Sequence, residues 1–250
     1  MTRRRFIADT WTATTATLTG DQATHLARVL RAEPGQIYDI VSNGFLHRAE
    51  ITSVTEARVD FTLHEELSAD AALPLHLLLA VFKFDHMEWA IEKATELGIA
   101  RITPILARRT EKHLAQSSAK RVDRWRRIAL EASKQSRRTD VPEIANPIAL
   151  KQALQQEKSP TRILLSETEQ GTTLTSALEH LERQEAASIS SDAASAITHA
   201  IAIGPEGGWT PEEMSLFTEH AWQPVTLGPR ILRAETAAIA AIAIASTHLA

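Results

Sequence analysis

The sequence predicts an α/β protein in which a small, mostly antiparallel β-barrel or sandwich precedes a larger parallel α/β domain. Three observations carry that expectation. Residues 1–70 hold short runs rich in Val, Ile, Thr and Phe, a composition suited to half-buried strands. The rest alternates short apolar runs with longer helical patterns, as βαβ units do. At roughly 150 residues per domain, 250 residues make one large or two modest domains, each able to bury a core.

In the first part, Gln36–Ser42, Leu46–Val54 and Arg58–Leu63 read as strands, and Asn43-Gly44 is a hairpin turn signal between the first two. Asp21 is expected to cap a helix over Gln22–Arg31, whose stripe is Leu26, Val29 and Leu30 and which Glu33-Pro34-Gly35 ends. Periodicity changes at Ser68–Pro74, dividing the chain into domains 1–70 and 74–250. Beyond it the strands are His76–Phe82, Ile102–Leu106, Arg162–Ser166, Ala200–Ile203 and Val225–Leu227. Between and after them, helices are expected at Met87–Leu97, Ala119–Gln135, Leu150–Glu157, Leu174–Gln184, Pro211–Ala221 and Glu235–His248. Ala186–Ala196, rich in Ala and Ser, reads as a loop or frayed helix end. From pattern alone the sheet is doubly wound and unknotted.

Composition removes several chemistries. With no cysteine, the chain has no disulfide, thiolate metal site or Cys nucleophile, and so no covalent route to methylating a pyrimidine carbon. None of the ten histidines falls in an HExxH pair; no metal site is expected, and His86 and His113 carry no partner pattern. The basic N-terminus has no apolar run behind it, and the longest apolar stretch, Ala237–Ala245, is far short of the ~20 residues that cross a bilayer. A cytoplasmic protein without a membrane partner is the expectation.

The net charge of −4 hides an asymmetry, since residues 101–140 carry twelve Lys or Arg against four carboxylates. Val122, Trp125, Ile128 and Ala132 give helix 119–135 an ordinary core stripe. A concentrated positive segment in an acidic protein nevertheless points to RNA, whose phosphates must be offset. Arg3, Arg4, Arg5, Arg28 and Arg31 would extend that surface.

Glycine use locates a second site. Four of nine glycines, Gly204, Gly207, Gly208 and Gly228, lie on two exits from strands, Ile203-Gly-Pro-Glu-Gly-Gly208 and Leu227-Gly-Pro-Arg-Ile-Leu-Arg233. Ligands of open α/β sheets bind at the carboxyl ends of strands, so the two loops predict one cleft with two walls. Thr210, Pro211 and Glu213 have the spacing of a capped helix start, and Trp209 could staple against Met214. Helix initiation does not require the glycines and carboxylate that precede it. A phosphate cradle is disfavoured, because Glu206 would repel an anion and no Lys follows the loop.

These two loops, the second extended through Ala234-Glu235-Thr236-Ala237, resemble the paired signature of SPOUT methyltransferases, and more narrowly of the ribosomal RNA small-subunit methyltransferase E family. His25-Leu-Ala-Arg-Val-Leu-Arg31, Lys83, Glu88, Ile91-Glu-Lys-Ala-Thr-Glu-Leu-Gly98, Ile102-Thr-Pro104, Gln135-Ser136, Arg138 and Val141-Pro-Glu143 match its other motifs in order and spacing. The chain departs from the family at Ala107-Arg108-Arg109 and Lys134-Gln-Ser-Arg-Arg138, each departure adding positive charge.

The resemblance implies a PUA-like RNA-binding β-barrel followed by an α/β domain with a C-terminal trefoil knot. It further implies a homodimer, and methylation of N3 of a uridine in small-subunit (16S) ribosomal RNA within the assembled or nearly assembled subunit. S-adenosyl-L-methionine is the implied cofactor, held by Leu165, Ser166, Glu167, Ile203, Gly204, Pro205, Glu206, Gly207, Gly208, Leu227, Gly228, Pro229, Ile231 and Leu232. Removing the imide proton and stabilising the resulting charge are the chemical tasks; Arg233 is the candidate stabiliser, and Glu206 or Glu235 the base or orienter. Glu235 has an equal reading as a carboxylate favouring a helix N-terminus. Candidates for RNA contact are Arg3, Arg4, Arg5, Arg28, Arg31, Lys83, Arg108, Arg109, Arg137 and Arg138. Two alternatives stay open: another RNA target such as a tRNA ribose, and a non-catalytic RNA-binding factor of the same fold.

Overall fold

The computed structural model describes residues 5–69, 71–187 and 197–249, so Arg3, Arg4 and residues 188–196 of the expected loop lie outside the described residues. The chain divides into two compact units, Met1–Ala71 with Ser133–Asp140, and Ala72–Ala132 with Val141–Ala250.

In the first unit β1 (Arg5–Ile7), β2 (Thr10–Trp11), β3 (Thr15–Thr19), β4 (Ile37–Ser42), β5 (Phe45–Val54) and β6 (Arg58–Leu67) form one sheet in the order β1-β4-β5-β6-β3-β2. Only β1 and β4 pair in parallel. The two edge strands are halves of one segment. Ala8 N donates to Val41 O at 2.8 Å and Asp9 N to Thr17 O at 3.0 Å, which curls the sheet around Leu18, Leu26, Ile40, Ile51 and Phe61. Asn43 and Gly44, at φ 52° and 82°, make the left-handed turn whose twist suits a hairpin. β1 to β3 escape sequence reading because they are two to five residues long and mostly Thr, Arg and Ala.

The helix of this unit corrects its expected form. α1 (Gly20–Thr24) begins at Gly20, its N-cap Thr19 makes no side-chain cap bond, and Asp21 sits inside the first turn. His25–Val29 then widens to a π-helix, Leu30 N donating to His25 O at 3.0 Å. The extra residue rotates the apolar stripe. Ala23 and Leu26 are buried, whereas Val29 is 66% exposed.

The second unit is a parallel sheet of β7 (Leu73–Ala80), β8 (Ile99–Leu106), β9 (Glu143–Ile144), β10 (Ile148–Ala149), β11 (Thr161–Leu165), β12 (His199–Ile203) and β13 (Gln223–Val225). Its order is β10-β8-β7-β12-β11-β13, with β9 also on β8. Strand alternation supplies two core layers. Leu75, Leu77, Leu79, Ile201 and Ile203 face a cluster containing residues of α2 (Phe84–Glu96), α4 (Val122–Ser136), α6 (Leu174–Ala187) and α8 (Ala234–Leu249). Leu78, Leu164, Ala200 and Ala202 face α5 (Leu150–Gln156) and α7 (Pro211–Glu219).

Two expected elements are corrected here. Helix 119–135 is a 3-10 turn at Ala119–Arg121 followed by α4, and a separate α3 (Lys112–Ser118) runs into it. The last strand lies at Gln223–Val225 rather than 225–227. Proline normally demotes a strand, but β13 is an edge, where Pro224 leaves no ladder bond unmade that the sheet needs.

The chain leaving β13 is clasped by the loop leaving β11. Ser166 N donates to Val225 O at 3.0 Å, Thr226 N to Thr172 O at 2.9 Å, and Leu174 N to Thr226 O at 3.0 Å. A plain doubly wound sheet does not require this crossing.

Candidate active site

A cavity of about 1080 Å³ opens where three strands end, at Leu165 after β11, Ile203 after β12 and Leu227 after β13. Parallel strands present their carboxyl ends together, so loops distant in sequence share one site. Every residue expected to hold the cofactor lines this cavity, and so does Arg233. Lys83, His86, Arg109, Thr168, Glu169 and Thr173 add wall from outside the two glycine loops.

The first glycine loop is shaped by what covers it. Trp209 lies so close to Gly204 that a Cβ there would stand 3.1 Å from the indole. The indole also packs edge-on against Phe217, centroids 4.8 Å apart, which holds it to α7. Gly208 turns at φ +69° and donates its N–H to Pro205 O at 2.8 Å, a conformation that costs a side-chain-bearing residue about 1–2 kcal/mol. Arg109 Nη1 donates to Gly207 O at 2.5 Å.

α7 then starts with the full capping box. Thr210 Oγ1 accepts from Glu213 N at 3.3 Å, Glu213 Oε2 from Thr210 N at 2.9 Å, and Pro211 occupies the first turn. The other Glu213 oxygen accepts from Arg108 N at 2.7 Å, so one buried carboxylate fixes both the helix start and the segment bearing Arg108 and Arg109. In the second glycine loop, Thr226 Oγ1 accepts from Gly228 N at 3.1 Å.

Leu165, Ile203, Leu227, Ile231 and Leu232 give the cavity apolar surface, while Glu167 and Glu206, both exposed, bring negative charge. Trp209 Nε1 is a buried donor with no partner among the described residues. Apolar walls, two glycine loops and carboxylates suit a ligand joining a flat aromatic part to a cationic part, as S-adenosylmethionine does. No group of residues with metal-binding potential occurs among the described residues.

Glu235 needs correction as a candidate base. It is 2% exposed and does not line the cavity; its Oε1 lies 3.4 Å from His86 Nδ1 instead. His86, which carries no partner pattern in the sequence, lines the cavity with a side chain 29% exposed. Only the packing of α2 against α8 joins the two, and nothing in the spacing of residues 86 and 235 announces it.

The RNA candidates separate by environment. Lys83, Arg108, Arg109 and Arg137 are exposed. Arg5 donates to Arg137 O, and Arg28 pairs with Glu56 at 2.5 Å on open surface, where such a pair is worth little. The free charge expected at Arg138 is corrected: its side chain is 8% exposed and paired with Asp140. Within the basic segment Arg124 makes a two-point bond to Glu88 at 2.6 and 2.7 Å, and Arg121 lies 4.7 Å from the Phe84 ring centroid.

Comparison with known proteins agrees with this geometry. An RNA methyltransferase domain family matches residues 69–246, and an RNA methyltransferase PUA domain family matches residues 18–63. The chain is 32% identical over 238 residues to the ribosomal RNA small subunit methyltransferase E of Bacillus subtilis, covering 94% of this chain and 90% of that one. It is 33% identical over 231 residues to the protein of the same name from Synechocystis, covering 92% and 72%. The crystal structure of a ribosomal RNA small subunit methyltransferase E from Neisseria gonorrhoeae, bound to S-adenosyl methionine, superposes with a TM-score of 0.75 at 30% identity over 98% of both chains.

Proposed function

Because this chain belongs to the RNA methyltransferase family that includes ribosomal RNA small subunit methyltransferase E, we propose that it transfers a methyl group from S-adenosylmethionine to N3 of a uridine in small-subunit ribosomal RNA. The observation that carries this reading is the convergence of three strand ends and two glycine loops on one cavity bearing Glu167, Glu206 and Arg233. RNA binding is assigned to the first unit, which the chain re-enters at Ser133–Asp140 beyond the expected 1–70, and methyl transfer to the second.

When bound, S-adenosylmethionine supplies an electrophilic methyl on a sulfonium. The chain's own task is to hold the two reactants in line, which can lower such a barrier by roughly 7–11 kcal/mol. The backbone of Ile203–Gly208 and Leu227–Leu232 gives close approach to the ligand, and Glu206 offers a hydrogen-bond acceptor to its ammonium or sugar. Arg233, exposed at the cavity and without an ion pair among the described residues, faces the oxygens of a uracil as their charge develops. Lys83 and Arg108 offset phosphates.

We place a second copy of the chain against α8. Its sixteen residues are apolar apart from Glu235, Thr236, Ser246, Thr247 and His248, and a helix apolar all round is a buried helix. Ile239 and Ile244 on it are half-buried, Trp89 on α2 is 50% exposed, and Ile231 at the cavity mouth is 80% exposed. No described helix is long and apolar enough to cross a membrane.

Incubation with methyl-labelled S-adenosylmethionine tests the function against three acceptors: purified small ribosomal subunits, naked small-subunit rRNA and tRNA. Label in the subunits, with less in naked rRNA, is expected. Label in tRNA alone supports a different target, and cofactor binding without transfer to any acceptor supports a non-catalytic factor.

A further inference from the structure

We propose that His86 takes the imide proton of the target base and that Glu235 holds its ring for that task; this rests on the reading of the cavity as a methyl-transfer site. Two orphaned atoms point to it. Glu235 is 2% exposed, and its Oε2 has no hydrogen-bond partner among the described residues. His86 Nδ1 is also buried without a hydrogen-bond partner there, and it lies 3.4 Å from Glu235 Oε1. A buried carboxylate is costly unless something answers its charge. The imidazole is the group in place to do so.

A carboxylate beside Nδ1 sets the tautomer. By drawing the ring proton to Nδ1 it leaves Nε2 unprotonated and able to take a proton from substrate. His86 is on the cavity wall, so a ring held in this way can present Nε2 to a substrate. Asp85 on the same helix lies 3.9 Å from Nε2, and Lys83 and Arg233 are the cationic groups on the adjoining wall.

The other acceptors on the wall suit the task less well. Glu169 accepts from Gly171 N and Thr172 N at 2.7 and 2.9 Å, which lower its pKa and make it a weaker base. Glu167 and Glu206 are exposed to solvent, with no buried partner among the described residues to hold them in place. Lys83, Arg109, Arg230 and Arg233 offer donors and no acceptor. In the step proposed, the N3–H bond breaks, its proton passes to His86 Nε2 and its electron pair stays on nitrogen. That pair forms the new bond to the methyl carbon as the methyl–sulfur bond breaks, and the sulfur keeps the electrons of that bond.

The test uses His86→Gln and Glu235→Gln in the full chain. For the unaltered chain, kcat should rise with pH along a limb set by the base. His86→Gln should lower kcat by about 10²–10⁴-fold, abolish that limb and leave cofactor affinity within about twofold. Glu235→Gln should lower kcat by about tenfold while keeping the limb, since the ring is no longer held with its proton on Nδ1. A His86→Gln protein that keeps both kcat and limb overturns the proposal. So does nitrogen NMR of the RNA-free chain at high pH if it finds the proton on Nε2 rather than Nδ1, a readout that needs no activity. If the unaltered chain methylates no RNA, the functional reading fails, and the proton-transfer role with it; the NMR result still judges the pairing with Glu235.

Discussion

The side chain of Arg109 lies along Gly207: its guanidinium donates to the glycine carbonyl at 2.5 Å, and a Cβ on Gly207 would stand 3.3 Å from Arg109 Cβ and Cδ. An arginine that the sequence offers as an RNA contact is therefore also the strut under the first glycine loop. Glu213 anchors the neighbouring backbone at Arg108 N, so the strut stands on the start of α7. Arg109→Ala should weaken S-adenosylmethionine binding by roughly five- to thirtyfold, the equivalent of about 1–2 kcal/mol for a lost charged hydrogen bond. Arg109→Lys should keep the aliphatic cover over Gly207 but restore little affinity, because the ammonium lacks the rigid planar donor fork that reaches the carbonyl. Calorimetric titration checks both; an unchanged affinity in Arg109→Ala would show the contact to be incidental.

Two of the basic candidates for RNA contact should behave differently. Lys83 is exposed at the cavity, whereas Arg138 is 8% exposed and paired with Asp140. Lys83→Ala should weaken RNA binding and reduce the salt slope of log K by about one. Arg138→Ala should instead lower the melting temperature, since it leaves the half-buried Asp140 without its cation. Binding isotherms at several salt concentrations, beside thermal melts, separate the two.

Acid should act through a pair far from the chemistry. His76 Nδ1 lies 2.5 Å from Glu157 Oε2, His76 Nε2 lies 2.8 Å from Thr103 Oγ1, and Ser159 N donates to Glu157 Oε1 at 2.8 Å. Burial alone would raise the Glu157 pKa, but the bonds from His76 and Ser159 hold it down to about 2, from an ordinary 4.5. A carboxylate depressed in the folded state stabilises above its unfolded pKa and loses that contribution as pH falls. Stability should thus drop between about pH 4.5 and pH 2. Glu157→Gln should flatten that limb in urea unfolding followed from pH 6 to pH 3; an unaltered slope would contradict the role of the pair.

Much of the site was legible because its signal is local. Glycines, a proline and a capping box stand in one stretch, and the strand before each loop announces itself by its apolar run. The type of turn at Asn43-Gly44 was likewise written in two residues, at φ 52° and 82°. What was not legible depends on contacts across the fold. The π-turn at His25–Val29 follows from packing that buries Ala23 and Leu26 together. Pro224 misled because its edge position is known only from the sheet order. The approach of Glu235 to His86 needs α8 laid against α2.

The central claim is methylation of a ribosomal uridine by this cavity, and one measurement bears on it most directly. Small subunits treated with the chain and methyl-labelled S-adenosylmethionine would be digested to nucleosides and the labelled species identified by mass. N3-methyluridine is the expected product, absent when Arg233→Ala replaces the unaltered chain. Label in any other nucleoside, or none in the RNA, would contradict the account.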